Sequence, residues 1–195
     1  ARSYLDLARD YLVTGKPRLI AVGGLSGSGK SRLGRELASY IGLAPGARIV
    51  RSDVIRKGLA GVTPLTRLDE SGYSPEMTRR TYLELNDQTQ SALQNGHSVI
   101  ADAVFAKPEE RKAIAAVADN MGLSFHGLWL EAPAQVMEAR VTARKFNASD
   151  ADAAIVRQQL SYDLGAMEWT RIDSAGTKSA TLEKALKVLG LYVVI

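Results

Sequence analysis

Two rhythms of apolar residues alternate along the chain: short unbroken runs, and the three-to-four spacing of a helix face. Tyr4, Leu5, Leu7, Ala8, Tyr11 and Leu12 make a mostly apolar face that Gly15 ends, which predicts a helix over residues 1–15. After Lys16-Pro17 the rhythm changes. Arg18-Leu19-Ile20-Ala21-Val22 runs into glycines and reads as a strand buried on both faces. Leu33, Leu37 and Ile41 then predict a helix over 30–41, and a second strand, 47–51, ends at Ser52-Asp53. Residues 58–74, rich in Gly, Pro and Thr, predict an irregular excursion. Pro75 near a first turn and Gly96 just past an end bracket a helix reaching Gln94. Further strands are expected over 98–101, 125–130 and near 170–172, stopping at Asp102, Glu131 and Asp173. Helices are expected over 108–121, 133–144, 150–162 and 179–189, with 191–195 as an added strand.

Strands alternating with helices imply an α/β fold: a doubly wound parallel sheet of about five strands, with right-handed crossovers and helices on both faces. Ligands of such sheets sit at the carboxyl ends of the strands, where Asp53, Asp102 and Glu131 are expected. Residues 17–195 read as one domain, while the helix over 1–16 could be the tail of a preceding one. A start at Ala1 fits an excised domain, a processed start or methionine removal.

Composition narrows the chemistry. Cysteine is absent, which excludes disulfides, thiolate metal sites and cysteine nucleophiles. His97 and His126 stand alone, which argues against a histidine metal site. With no apolar run near the ~18 residues of a membrane span, and no signal peptide, a cytoplasmic location is expected. A net charge of +4 suits an anionic ligand without requiring nucleic acid.

One motif carries the functional reading. Gly24-Leu25-Ser26-Gly27-Ser28-Gly29-Lys30-Ser31 matches the P-loop, or Walker A, pattern in full. Glycines let backbone N–H groups close around phosphate oxygens, and the following helix points its positive end at them. Lys30 is placed to reach the β- and γ-phosphates of ATP, and the Ser31 hydroxyl to coordinate Mg²⁺. No Asn-Lys-x-Asp guanine motif and no Leu-Ser-Gly-Gly-Gln signature is present, and the chain is short for a ring-forming AAA+ motor.

Beyond the P-loop, Ser52-Asp53-Val54-Ile55-Arg56 resembles the P-loop kinases related to polynucleotide kinase, zeta toxin and gluconate kinase. The resemblance covers about 17–189, and is nearest to a predicted-kinase group often fused behind an aminoglycoside-phosphotransferase-like domain. It implies that Asp53 serves as base for the attacked hydroxyl and Arg56 as an acceptor-side arginine. Asp102, followed by Pro108-Glu109-Glu110-Arg111, is similar to the strand-end acid and Pro-Glu-x-Arg of these kinases, and would hold Mg²⁺ or position the acceptor. Arg140 and Arg144, one helical turn apart, resemble lid arginines that close over the triphosphate. Residues 145–150 would then form a mobile lid loop, and Asp173-Ser174-Ala175-Gly176-Thr177 is similar to an adenine-contacting loop or is a plain connection.

Arg51, Arg56, Lys57, Arg67, Arg79 and Arg80 make the acceptor region basic, which suits an acceptor carrying phosphate or carboxylate. Trp129 and Trp169 are expected in the core rather than against a base. These features point to an ATP-dependent kinase acting on a hydroxyl of a small molecule, a nucleotide-like compound or a nucleic-acid end. An ATP-binding regulatory module, or an NTPase without a dedicated acceptor, is the alternative.

Overall fold

Side-chain alternation along the first strand divides the core. In β1 (Arg18–Gly24), Leu19 and Ala21 join one apolar cluster while Ile20 and Val22 join another, and all four are fully enclosed. A strand covered on both faces needs apolar residues at every position, hence the unbroken run. The computed structural model describes residues 3–5, 15–143 and 148–191. Most of the expected helix over 1–15, Arg144, and the expected terminal strand beyond Leu191 lie outside the described residues.

Among the described residues four more strands join the sheet: β2 (Arg48–Arg51), β3 (Val99–Asp102), β4 (Ser124–Glu131) and β5 (Thr170–Asp173). All pair in parallel, in the order β2-β3-β1-β4-β5. Helices α1 (Lys30–Ala38) and α7 (Lys178–Val188) bring Leu33, Leu37 and Leu186 to one face. On the other face Leu85, Leu93 and Ile114 come from α3 (Pro75–Gln94) and α4 (Pro108–Asp119). The doubly wound sheet expected from the sequence is therefore present. Because β1 has β3 on one side and β4 on the other, the chain diverges at its carboxyl end, and a crevice opens there.

Between strands, the boundaries follow local chemistry. Ser74 caps α3, its hydroxyl accepting from Met77 N–H at 3.2 Å, with Pro75 in the first turn. No loop follows β2: Ser52 and Asp53 already belong to α2 (Ser52–Leu59). The excursion after it contains a short 3-10 turn, Glu70–Tyr73, whose N–H groups are capped by Asp69. Two shorter helices, α5 (Ala134–Thr142) and α6 (Ala153–Leu160), flank the expected lid.

Both tryptophans are core residues, Trp129 and Trp169 being 2% and 8% exposed. Trp169 lies over β4 where Gly127 leaves room, since a Cβ there would run into the indole. Its edge meets Phe105, with ring centroids 5.1 Å apart.

Phe105 adopts a left-handed backbone (φ 51°) just beyond β3, a strained conformation for a bulky residue. It is held there from two sides. Tyr82 accepts from its N–H at 3.0 Å, and Arg111 donates to its carbonyl at 2.9 Å. Arg111, 4% exposed, also donates to the carbonyls of Ala106 (2.7 Å), Leu164 (2.6 Å) and Ala166 (3.0 Å). The arginine of the Pro-Glu-x-Arg segment thus fastens the loop after β3 to the segment after α6.

Removing this clamp leaves carbonyls without donors. Arg111→Leu should destabilise the fold by about 3 kcal/mol, lowering Tm by roughly 6–12 °C. Arg111→Lys should recover little of it, because one ammonium cannot span the four acceptors. Calorimetry of both variants checks this, and an unchanged Tm for Arg111→Leu would remove the clamp's structural role.

Candidate active site

The phosphate loop forms where β1 leaves the sheet. Gly24, Gly27 and Gly29 all take positive φ (139°, 84° and 100°), so the loop curls back before α1 begins at Lys30. A Cβ at Gly27 would strike the Met137 carbonyl of α5, so only glycine fits that close approach. Within the loop, Ser28 N–H donates to Leu25 O at 3.1 Å, and the Lys30 ammonium folds back onto the same carbonyl at 3.0 Å. The first turn of a helix has N–H groups without intrahelical acceptors, and here that turn opens into a cavity of about 1200 Å³. The Ser28 hydroxyl is buried without a partner, as an orphaned donor in a phosphate cradle can be.

Three side chains from other elements hold the loop from behind. Ser174, after β5, donates its hydroxyl to Ser28 O at 2.7 Å. Arg140, on α5, donates to Ser174 O at 2.7 Å and Gly27 O at 3.4 Å. Gln159, on α6, accepts from Ser26 N–H at 2.7 Å through Oε1 and is 9% exposed. Arg140 therefore lines the cavity but ties two loops together, while Arg144 lies outside the described residues. Sequence reasoning missed Gln159. Its signal was a polar residue three positions after Val156 on the buried face of an amphipathic helix.

Two acids line the same cavity. Asp102 ends β3, in register with Arg51 at the end of β2, and Arg51 Nε meets Asp102 Oδ2 at 3.3 Å. The terminal Nη2 of Arg51 is enclosed and has no hydrogen-bond partner. Asp53 lies in the first turn of α2 and lines the same cavity as Ser31 and Asp102. Burial lifts the Asp53 carboxyl above the usual aspartate range, and the neighbouring Asp102 charge adds to the lift. Lys30, Arg51 and Arg56 oppose it without cancelling it.

Mg²⁺ takes few protein oxygens beside substrate phosphates. Ser31 with the two acids fits that demand, and the glycine-lined loop fits a polyphosphate. Among the described residues, no group of three or more His, Cys, Asp or Glu could form a metal cage.

Two expected residues sit elsewhere. Glu131, at the end of β4, pairs with Arg171 on β5, away from the cavity. Arg56 is 8% exposed, donates to Gly72 O (3.0 Å) and Thr78 Oγ1 (3.2 Å), and stacks on the Tyr73 ring at 4.9 Å. Next to it Lys57 is 1% exposed and pairs with Asp150 at 2.8 Å. Asp150 accepts also from Tyr73 OH (2.7 Å) and Leu68 N–H (3.0 Å), so the last residue of the loop expected to be a mobile lid is fastened to the acceptor region. Burial alone would raise the Asp150 carboxyl, yet the bonds from Lys57, Leu68 and Tyr73 hold it below the usual range.

Comparison with known proteins places this arrangement. The sequence family described as AAA domain matches residues 19–163, and the chain belongs to it. A protein of Mycobacterium tuberculosis strain H37Rv, described only as uncharacterized, is 30% identical over 193 residues. The match takes in 95% of this chain and 37% of the relative, so the chain spans little more than a third of the relative's length. Among solved structures, a sugar kinase from a Janibacter species is 21% identical with a TM-score of 0.64, covering 90% of this chain and 95% of that one. The APS kinase of M. tuberculosis, solved with AMPPNP and APS, is 20% identical with a TM-score of 0.62, covering 90% and 96%. The fold is that of P-loop kinase structures. No helix among the described residues is long and apolar enough to cross a membrane.

Gln159→Ala deletes the acceptor that holds Ser26. The Kd for Mg-ATP should rise about tenfold, the worth of one buried hydrogen bond. Calorimetric titration of the variant measures it. A Kd that is unchanged or tighter would mean that Gln159 competes for the Ser26 N–H instead of shaping the loop.

Proposed function

We propose that this chain is an ATP-dependent kinase that moves the γ-phosphoryl group onto a hydroxyl of an acceptor molecule. One observation carries the reading: the P-loop and a carboxylate with a raised pKa, Asp53, line a single cavity. The family match and the kinase folds of the structural neighbours support it.

Each residue then has a part. The loop over Gly24, Ser26, Gly27, Ser28 and Gly29 surrounds the phosphates, with N–H groups other than those of Gly24, Ser26 and Ser28, which are spent on Val104, Gln159 and Leu25, and Lys30 supplies positive charge at the transferred group. Mg²⁺, held by Ser31 and Asp102, would offset charge on the β- and γ-oxygens when bound. Asp53 accepts the proton of the acceptor hydroxyl, and Arg56 braces the acceptor wall through Gly72 and Thr78. Arg140 keeps the loop closed, and Arg144 completes the lid over the triphosphate. A phosphotransferase-like domain fused or adjacent to the chain belongs to the same proposal, supported by the relative's greater length.

Label from γ-labelled Mg-ATP should pass to a hydroxyl compound with wild type. It should fall by roughly 10²–10⁴-fold with Asp53→Asn, the usual worth of a general base, and be lost with Lys30→Ala. ATP binding without label in any acceptor, together with no effect of Asp53→Asn, would replace the kinase by a regulatory ATP-binding module.

The pH profile gives a second check. Asp53 works as a base only when ionised, so kcat/KM rises with pH through its pKa. Since burial and Asp102 raise that pKa, the acid limb should lie above the usual aspartate value. Asp102→Asn removes a like charge and leaves Arg51 unopposed, both of which lower the Asp53 pKa. The limb of the residual activity should therefore move to lower pH; a limb that stays in place would detach it from Asp53.

A further inference from the structure

The acceptor region carries Arg51, Arg56, Lys57, Arg67, Arg79 and Arg80, a set suited by sequence to an anionic acceptor. In the fold, five of the six are committed to other protein groups. Arg51 is on Asp102 through Nε with its Nη2 enclosed, and Arg56 is on Gly72, Thr78 and the Tyr73 ring. Lys57 is on Asp150, Arg67 on Asp152 and Arg79 on Glu76. Arg80 is exposed on α3 near Glu76 and does not line the cavity.

The part of the cavity lining that comes from outside the P-loop, α1, α5 and α7 has a different character. The walls built from the β2–α2 junction, β3 with the residues just after it, and the end of the expected lid loop present Ser52, Asp53, Asp102, Val104 and Ser149. The cationic lining lies with the P-loop, α1, α5 and α7, as Lys30, Arg32, Arg35, Arg140 and Lys178. A phosphate or carboxylate on the acceptor would meet the Asp53 carboxylate beside an Asp102 already paired with Arg51, and no cation among the residues of those walls. Hydroxyls suit these walls better, because a carboxylate accepts from a hydroxyl and a serine both donates and accepts.

We infer that the acceptor is a hydroxyl-rich small molecule, neutral or aminated, without phosphate or carboxylate close to the hydroxyl that is phosphorylated. This rests on the kinase reading. It turns the basic composition of the segment into internal cross-links between α2, the excursion after it and the lid segment, where the sequence alone suggested a docking patch. Rejection of anions would come from placed like charge as much as from missing partners.

The test uses matched acceptors: free monosaccharides and polyols, their amino derivatives, and their phosphate and carboxylate counterparts, with a 5′-hydroxyl oligonucleotide as a further anionic arm. Transfer from Mg-ATP is measured for each with the wild-type chain. The neutral or aminated form of whichever scaffold is used should exceed its anionic counterpart in kcat/KM by at least about 100-fold. The KM of a neutral acceptor should change little with ionic strength, because no charge pairing brings it in. An anionic acceptor or the oligonucleotide used as well as or better than the neutral form overturns the inference while leaving the kinase intact. Label in no acceptor overturns the kinase reading and this inference with it.

Discussion

A loop that must keep N–H groups for a ligand has few left to hold itself, so most of its shape must be fixed by groups from elsewhere. That constraint organises this molecule. Ser174 holds the Ser28 carbonyl, Arg140 holds those of Gly27 and Ser174, and Gln159 holds the Ser26 N–H. The three side chains come from the end of β5, from α5 and from α6. The doubly wound order β2-β3-β1-β4-β5 makes this possible, because it sets β1 in the middle with a strand on each side.

The other half of the cavity obeys a complementary constraint. Charged groups are drawn together there and have to be balanced where they are enclosed. Arg51 and Asp102 balance across the ends of neighbouring strands, and Lys57 and Asp150 across the gap between α2 and the lid segment. Asp53 is left with burial and a like charge as the dominant influences, which keeps its carboxyl above the usual range. A carboxyl so placed holds a proton more readily than an exposed aspartate, which is the property a base for a hydroxyl needs.

Much of the scaffold was legible in the residues. The P-loop can be read because glycine spacing, Lys30 and Ser31 are local and their chemistry is narrow. Each of the five described strands could be placed to within a residue or two; for β1 and β3 the reason is burial on both faces, which demands apolar runs. The helix α2 was harder to see: it starts on Ser52 directly after β2, with no turn residue to announce it. Gln159 carried only the signal of a polar residue on a buried helix face, and nothing pointed to its partner Ser26, which lies 133 residues away with no period to link them. Charge was the most misleading signal. A row of Arg and Lys looks the same in sequence whether it awaits a ligand or is spent on Asp102, Asp150 and Asp152.

The clamp at Arg111 has an evolutionary side. All four of its acceptors are main-chain carbonyls, at Phe105, Ala106, Leu164 and Ala166. A carbonyl is present whatever side chain its residue bears. The two segments it joins can therefore exchange nearly every side chain without loosening the bond between them, provided the backbone path and the arginine persist. The molecule separates what must stay constant from what is free to drift, and in a fold whose neighbours act on such different compounds, a rim that can be rewritten over a fixed frame is how new specificity can arise without refolding.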